Sequence, residues 1–423
     1  MTLIRTSALN GAAVAIRMGT ALLLNKILAV YVGPAGYAVI GQFQNLISMA
    51  NTFATAATGT GVTKFTAQFF DSEHEQRAVW RTAAIMTLGA TLATAIVLIF
   101  SRHWLAQELL HSEDFSSIFL WLAAGLFFLS FNALLLSILN GRKEVRRYVV
   151  SNIAGSILGL CLTGALAYTN GLYGALIALS INQAVVIIVT LQQISTTSWF
   201  RWTDLFGPFS VTHFRGLLGF VAMAGTTAVV TPISHIAIRN YLGQEFGLDY
   251  AGFWDAVNRI STIYLSFITA TLTLYYLPRL AEIRLADELR TEILKTFSIV
   301  VPASAVLSAA IFLSRDMIIS VLFTDQFAPM RQLFAWQTAG DVVKIASWVI
   351  SFVMLGRGMV KTFIVTETLF AIALWMLTVA LTGIMGFEGA SAAYLISYIL
   401  YLGAMWYIVL VRYSGSQTRL SNV

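Results

Sequence analysis

The sequence predicts an all-α polytopic membrane protein, with twelve transmembrane helices in two six-helix bundles related by a parallel internal repeat. Three observations predict this. The 423 residues are 58% hydrophobic and only 11% charged, with a mean hydropathy of +0.77; a soluble domain carries about 25% charged residues. Apolar runs long enough to cross a bilayer recur along the whole chain. Short signatures from the first half return in the second at a nearly constant offset.

A hydrocarbon core about 30 Å thick needs about 20 apolar residues per helix. Runs of that kind lie at 7–31, 37–61, 79–100, 118–140, 148–169 and 174–192, then at 215–240, 250–277, 296–314, 331–355, 361–381 and 389–411. The spans at 7–31 and 331–355 are the least apolar because both hold charges. The first span carries Arg17 and Lys26 and has no small-residue cleavage site, so it reads as a retained helix and not a signal peptide.

Lys and Arg concentrate on the cytoplasmic side of membrane proteins. With the N-terminus inside, 18 of the 26 basic residues fall in cytoplasmic segments, among them Arg142, Lys143, Arg146 and Arg147. The outer segments hold Arg102, Arg315 and Arg331. Both termini are therefore expected to be cytoplasmic. The net charge of +6 follows from topology and implies no nucleic-acid partner.

The repeat is read from ordered matches. YAVIGQFQNLIS (37–48) aligns with YAGFWDAVNRIS (250–261) at Tyr, Ala, Asn, Ile and Ser, an offset of 213. Ser101-Arg102 returns as Ser314-Arg315 at the same offset. Trp121, Ala124, Gly125, Gly141 and Arg142 return as Trp336, Ala339, Gly340, Gly356 and Arg357 at 215. Six spans per half place both halves in the same orientation, the parallel type of transporter repeat. The expected division is an N-terminal lobe at 1–195, an interfacial linker at 196–214 and a C-terminal lobe at 215–423. The joint is rich in Trp199, Phe200, Trp202, Phe206 and Phe209, the aromatic mixture that favours a membrane–water interface. Segments 101–117 and 315–330 form a second interfacial pair on the outer side.

Several chemistries have no sequence support. No Walker A motif marks a built-in ATP motor. The five histidines are scattered without metal-ligand spacing, and neither a metal nor a cofactor is expected. The single cysteine, Cys161, lies in an apolar run and reads as a packing residue. The longest outer loop has about 16 residues, too short for the catalytic loop expected of a membrane glycosyltransferase or ligase. Transport fits better than catalysis.

Charges inside spans cost about 2.5–3.5 kcal/mol at a helix centre, so they face cavities or partners. The bases are Arg17, Lys26, Arg239, Arg259 and Lys344; the acids are Asp255, Asp341 and Glu367. Lys64 follows the TGTGV stretch at the end of the second span. Asp255 and Arg259 are four apart on one helix face. Asp341 and Lys344 have the spacing of a self-neutralising pair. Glu367 could serve as a helix-end group, and Arg239 and Lys64 are placed to snorkel to the interface. The cationic surplus suits an anionic passenger better than a cationic one, because guanidinium and ammonium groups recognise phosphate. A cation-coupled drug antiporter, the main alternative, calls for a surplus of acids.

GPAGYAVIGQFQN (33–45), GVTKFTAQF (61–69) and MRQLFAWQTAGDVVK (330–344), set in the six-plus-six plan, resemble the Wzx-type flippases. That family, part of the multidrug/oligosaccharidyl-lipid/polysaccharide exporter superfamily, includes O-antigen and enterobacterial common antigen (lipid III) translocases. The resemblance covers nearly the whole chain. It implies two bundles around a central cavity that opens alternately to either side of a bacterial inner membrane. It implies an undecaprenyl-diphosphate-linked oligosaccharide as passenger, glycan-assembly enzymes as partners and function as a monomer. Related lipid II flippases line their cavity with bases from helices 1, 2 and 8. By helix, Arg17, Lys26, Lys64 and Arg259 correspond and are expected at the diphosphate, with Arg239 nearby. Trp254 and Asn258 are expected to contact sugars. Asp255, Asp341, Lys344 and Glu367 are expected to form a charge or coupling network. The lipid II relatives have two further helices for the lipid tail, which the twelve spans leave out.

Overall fold

The computed structural model describes residues 3–55, 59–272, 276, 279–280, 283, 286–356 and 359–409, and no strand occurs among them. It divides into two compact units, Met1–Pro232 and Ile233–Val423.

In the first unit, α1 (Leu3–Thr55) runs through both of the first two expected spans and breaks only at Gly33 (φ 70°, ψ −179°). Pro34 follows the break, where a helix restarts without needing that N–H. The short α2 is Gly59–Gln68. In α3 (Glu73–Phe100), Glu73 and Glu75 occupy the first turn, where acids complement the helix dipole. The short helix α4 (Arg102–Leu110) lies in the expected interfacial segment, with Trp104 65% exposed. α5 is Ile118–Gly141. α6 (Val145–Ser195) again joins two expected spans, broken only at Gly171 (φ 55°, ψ −133°).

α7 (Val211–Glu245) crosses the boundary between the units, which falls at Pro232. The second unit continues with α8 (Leu248–Thr271), α9 (Ala286–Leu313), the short α10 (Arg315–Leu322), α11 (Phe334–Gly356), α12 (Val360–Met385) and α13 (Gly389–Trp406). Each of the twelve apolar runs in the sequence therefore has its helix or half-helix.

The repeat is visible in the backbone. Ser101 and Ser314 have nearly the same dihedrals (φ −91°, ψ 4° and φ −89°, ψ 4°), each turning a long helix into a short one. Gly171 and Gly386, 215 apart, both take positive φ (55° and 68°), which a Cβ disfavours. Three residues on, a Cβ on Gly174 would lie 1.9 Å from the Leu166 carbonyl oxygen, and one on Gly389 2.3 Å from that of Leu381. Both partners obey the 215 offset as well. Gly125 packs against the backbone of Ser180, and Gly340 against Tyr394 and the backbone of Leu395. The glycines that match in sequence thus do the same packing work in both halves.

The aromatic joint is built into the first unit. Trp80 is 2% exposed and donates from Nε1 to Thr66 Oγ1 at 2.9 Å. Trp199 and Phe200 pack beside it, and Leu205 joins the same core. Arg77 Nε lies 3.2 Å from the buried Asp204, Ser210 N donates to Thr82 Oγ1 at 3.2 Å, and His213 Nε2 lies 3.2 Å from Glu75. Residues 199–213 are therefore pinned along α3. Their outer face leaves Trp202 and Phe206 exposed, as an interfacial segment requires.

Candidate functional site

The expected site residues fall into two groups, one in each unit. In the first unit Arg17 is exposed on α1, and Lys26 is half-buried nine residues further along the same helix. Next to Lys26, the buried Asn25 accepts from Tyr37 Oη at 2.9 Å, which ties together the two halves of α1. Gly19 remains helical; the break in α1 is at Gly33. Lys64 is exposed on α2 and lines a cavity of about 460 Å³ with Thr63, Ser137, Asn140 and Tyr148. Polar groups continue deeper between the helices: Asn132 donates to Gln183 at 3.0 Å, and Thr91 to Ser130 at 2.9 Å.

In the second unit, Asp255 on α8 sits between two arginines. Arg259, one turn along, donates from Nε to Oδ2 at 2.7 Å. Arg239 on α7 donates from Nε to Oδ1 at 2.9 Å and contacts the same oxygen through a terminal nitrogen. The spacing of Asp255 and Arg259 is the expected one, but the pair is part of a triad. Arg239 does not snorkel. Its side chain is 5% exposed and its charge is spent on Asp255. The physical reason is cost: a buried carboxylate bound to one partner leaves lone pairs unsatisfied, and a second guanidinium fills them.

Trp254 is 3% exposed. Its ring carries the Arg239 guanidinium 5.6 Å from the centroid and meets His235 edge-on at 5.4 Å. Asn258 is half-buried, donates to the Trp254 carbonyl at 2.9 Å and accepts from Gln337 Nε2 at 3.3 Å.

Gln337 also donates to Ser261 Oγ at 3.2 Å, and so leads to Asp341. The expected Asp341–Lys344 pair is not among the described ion pairs. Asp341 is fully buried and held by hydroxyls: Ser261 at 2.6 Å and Tyr264 at 2.5 Å on Oδ2, and Tyr394 at 2.7 Å on Oδ1. Lys344 lies instead over the rings of Trp348, Tyr394 and Tyr398, 5.1, 5.6 and 5.6 Å from their centroids. Glu367 is no helix-end group. It sits inside α12 and accepts from Tyr401 Oη at 2.6 Å.

These hydroxyl donors were not picked out by the charge pattern. Tyr394, Tyr398 and Tyr401 recur at helical spacing on α13, and that polar-aromatic face was the available signal. The sign count also sharpens by unit. The second unit holds three span bases, Arg239, Arg259 and Lys344, against three acids, Asp255, Asp341 and Glu367. The cationic surplus therefore resides in the first unit, with Arg17, Lys26 and Lys64. Among the described residues no three His, Cys, Asp or Glu side chains gather as metal ligands would.

Long apolar helices, a parallel repeat and buried charge networks define a polytopic membrane transporter. Solved structures support that fold. An inward-facing multidrug resistance MATE family transporter of the MOP superfamily superposes with a TM-score of 0.82, at 15% identity, covering 96% of this chain and 99% of that one. The lipid II flippase MurJ, in an inward closed conformation, gives 0.74 at 13% identity, covering 96% and 87%. The family described as "Polysaccharide biosynthesis protein" matches residues 27–332, and the chain belongs to that family. Curated relatives named "Lipid III flippase", from Escherichia coli (strain K12) and Shigella flexneri, are each 31% identical over 407 residues, 95% of this chain and 96% of theirs. The resemblance drawn from the sequence agrees with these relatives.

Proposed function

We propose that this chain is a flippase, carrying an undecaprenyl-diphosphate-linked oligosaccharide from the inner to the outer leaflet of a bacterial inner membrane by alternating access. The observation that carries this reading is the full-length similarity to the lipid III flippases. Arg17, Lys26, Lys64 and Arg259 are assigned to the diphosphate. Asp255 fixes the rotamer of Arg259, Arg239 holds Asp255 in turn, and the Trp254 ring backs Arg239. Asn258 is assigned to the sugars, with Trp254 completing that wall if it becomes uncovered during the cycle. The protein acts as a monomer, with both termini cytoplasmic, and receives its passenger from glycan-assembly enzymes.

The membrane potential can drive the step. A diphosphate of charge near −2 moving outward from an inside-negative face gains about 4–5 kcal/mol per 100 mV. The decisive experiment is charge reversal, Arg17→Glu and Arg259→Glu, with surface glycan as the readout. Loss of export in either variant, with membrane levels of the protein unchanged, is the expected result; export surviving both reversals sinks the assignment.

A coupling role for the acids has its own support, because Asp341 and Glu367 are carboxylates held by neutral hydroxyl donors and not by arginine. Asp341→Asn and Glu367→Gln are expected to flatten the pH dependence of flipping in liposomes. An unchanged pH profile in both removes coupling from their role.

A further inference from the structure

The turn between α5 and α6 gathers bases that the passenger does not account for. Arg142, Lys143, Arg146 and Arg147 lie within six residues, with Glu144 as the sole acid among them. Glu144 is already used: it accepts from Arg147 at 2.8 Å and from Trp199 Nε1 at 3.2 Å. Lys143 and Arg146 are exposed, and neither has a carboxylate partner among the described residues.

The backbone fixes how these bases converge. Lys143 takes φ 60°, a left-handed conformation that costs a lysine energy and is worth reading for function. Hydrogen bonds from Lys143 N to the Asn140 carbonyl at 3.0 Å and from Glu144 N to that of Leu139 at 2.9 Å close the turn. The first turn of α6 then contains Arg146 and Arg147, no acid, and no side-chain cap. A helix N-terminus is already electropositive; Glu144, at its N-cap, offsets Arg147, and Arg146 has no such counter-charge among the described residues. Lys143, Glu144, Arg146, Arg147, Gln193 and Thr196 line a cavity of about 590 Å³ at this point, with the Glu144 carboxylate taken up by Arg147 and Trp199.

The surroundings identify the anion as amphiphilic. Arg142 stacks 4.7 Å from the Trp199 ring centroid and 5.4 Å from that of Phe70. From Trp199, ring contacts run through Phe200 to Trp202 at 6.0 and 5.1 Å. Trp202 and Phe206 then border an apolar crevice of about 430 Å³ with Leu88, Phe127, Phe128 and Phe131. Tryptophan-rich belts mark the headgroup level of a bilayer, and basic pockets between membrane helices bind anionic headgroups.

We propose that this pocket is a binding site for an anionic glycerophospholipid. The headgroup phosphate sits between Lys143, Arg146 and the α6 N-terminus, and the apolar crevice at the far end of the Trp199–Phe200–Trp202 row takes an acyl chain. The site lies wholly within the first unit and is independent of the flipping assignment.

The test uses the full-length protein in a neutral maltoside detergent, with lipid binding followed by native mass spectrometry. Dioleoylphosphatidylglycerol is expected to bind in preference to dioleoylphosphatidylcholine, and more weakly as salt rises. The double variant Lys143→Gln with Arg146→Gln is expected to weaken phosphatidylglycerol binding about thirtyfold. Restoring a cation as Arg146→Lys, in place of the glutamine, recovers most of the affinity. Arg102→Gln, on the outer helix, leaves it unchanged. Thermal stability of each variant, expected to match the parent because both side chains are exposed, separates lost binding from lost folding. Undiminished phosphatidylglycerol binding in the double variant overturns the proposal. So does equal binding of phosphatidylcholine, or full displacement of phosphatidylglycerol by inorganic phosphate or glycerol 3-phosphate, which would define a soluble-anion site.

Discussion

Replacing Asp255 by alanine is expected to destabilise the second unit by about 3–5 kcal/mol, because it strands charges that were buried as a set. Asp255 is 3% exposed and receives hydrogen bonds from both Arg239 and Arg259. Without it, two guanidiniums are left facing each other with no carboxylate between them. The measurement is a melting curve of the detergent-solubilised protein. A triple variant, Arg239→Met with Asp255→Leu and Arg259→Met, should recover most of the lost stability, since apolar replacements of buried ion groups are often neutral or better. It should not recover glycan export, which separates the structural role of the triad from its role toward the diphosphate. A melting temperature for Asp255→Ala equal to that of the parent would falsify the buried triad.

The second large effect belongs to the paired glycines. Gly174→Ala and Gly389→Ala should each lower stability by about 1–3 kcal/mol or more, the usual cost of overpacking. The atom in the way is a backbone carbonyl oxygen in both cases, at 1.9 and 2.3 Å, so no side chain can swing aside. The repeat makes the prediction quantitative in form: the two losses should be similar. Gly89→Ala provides the control, because nothing lies within 4 Å of its added Cβ. At that position alanine should be neutral or slightly stabilising, as the better helix former. Melting curves of the three variants decide the matter, and a Gly174→Ala protein as stable as Gly89→Ala contradicts the packing.

The fold was largely legible in the sequence, and for a physical reason. In lipid the backbone must satisfy itself, so apolar length alone dictates where helices fall. The offset between the halves was legible because the same glycines must meet the same neighbouring backbones. What pattern could not give was partnership across helices. Asp255 and Arg259 were a visible neighbouring pair, but Arg239 is 16 residues away and reaches them only through folding. Asp341 and Lys344 looked self-sufficient, yet Asp341 draws its hydrogen bonds from Ser261, Tyr264 and Tyr394, on two other helices. Charged residues announce themselves in a hydrophobic sequence, whereas tyrosine and serine hydroxyls blend into it. The acids are therefore legible in the sequence and their donors are not. The joint shows a similar limit. Its aromatics marked it as interfacial, while its attachment to α3 through Asp204 and Ser210 rests on contacts of 3.2 Å that composition does not encode.

The turns at Gly33 and Gly171 join consecutive long helices through one non-helical residue apiece, and that at Gly386 through a three-residue 3-10 turn, Gly386–Glu388. They leave almost no loop between the helices they join. A protease, an antibody or a bulky thiol reagent therefore finds little to grip at any of the three. Silence there reports tight geometry, not depth in the bilayer. Surface mapping has to rely on longer excursions such as 101–117 and 315–330. An epitope inserted at Gly171 or Gly386 would read out a pried-apart hairpin instead of the sidedness of the native chain.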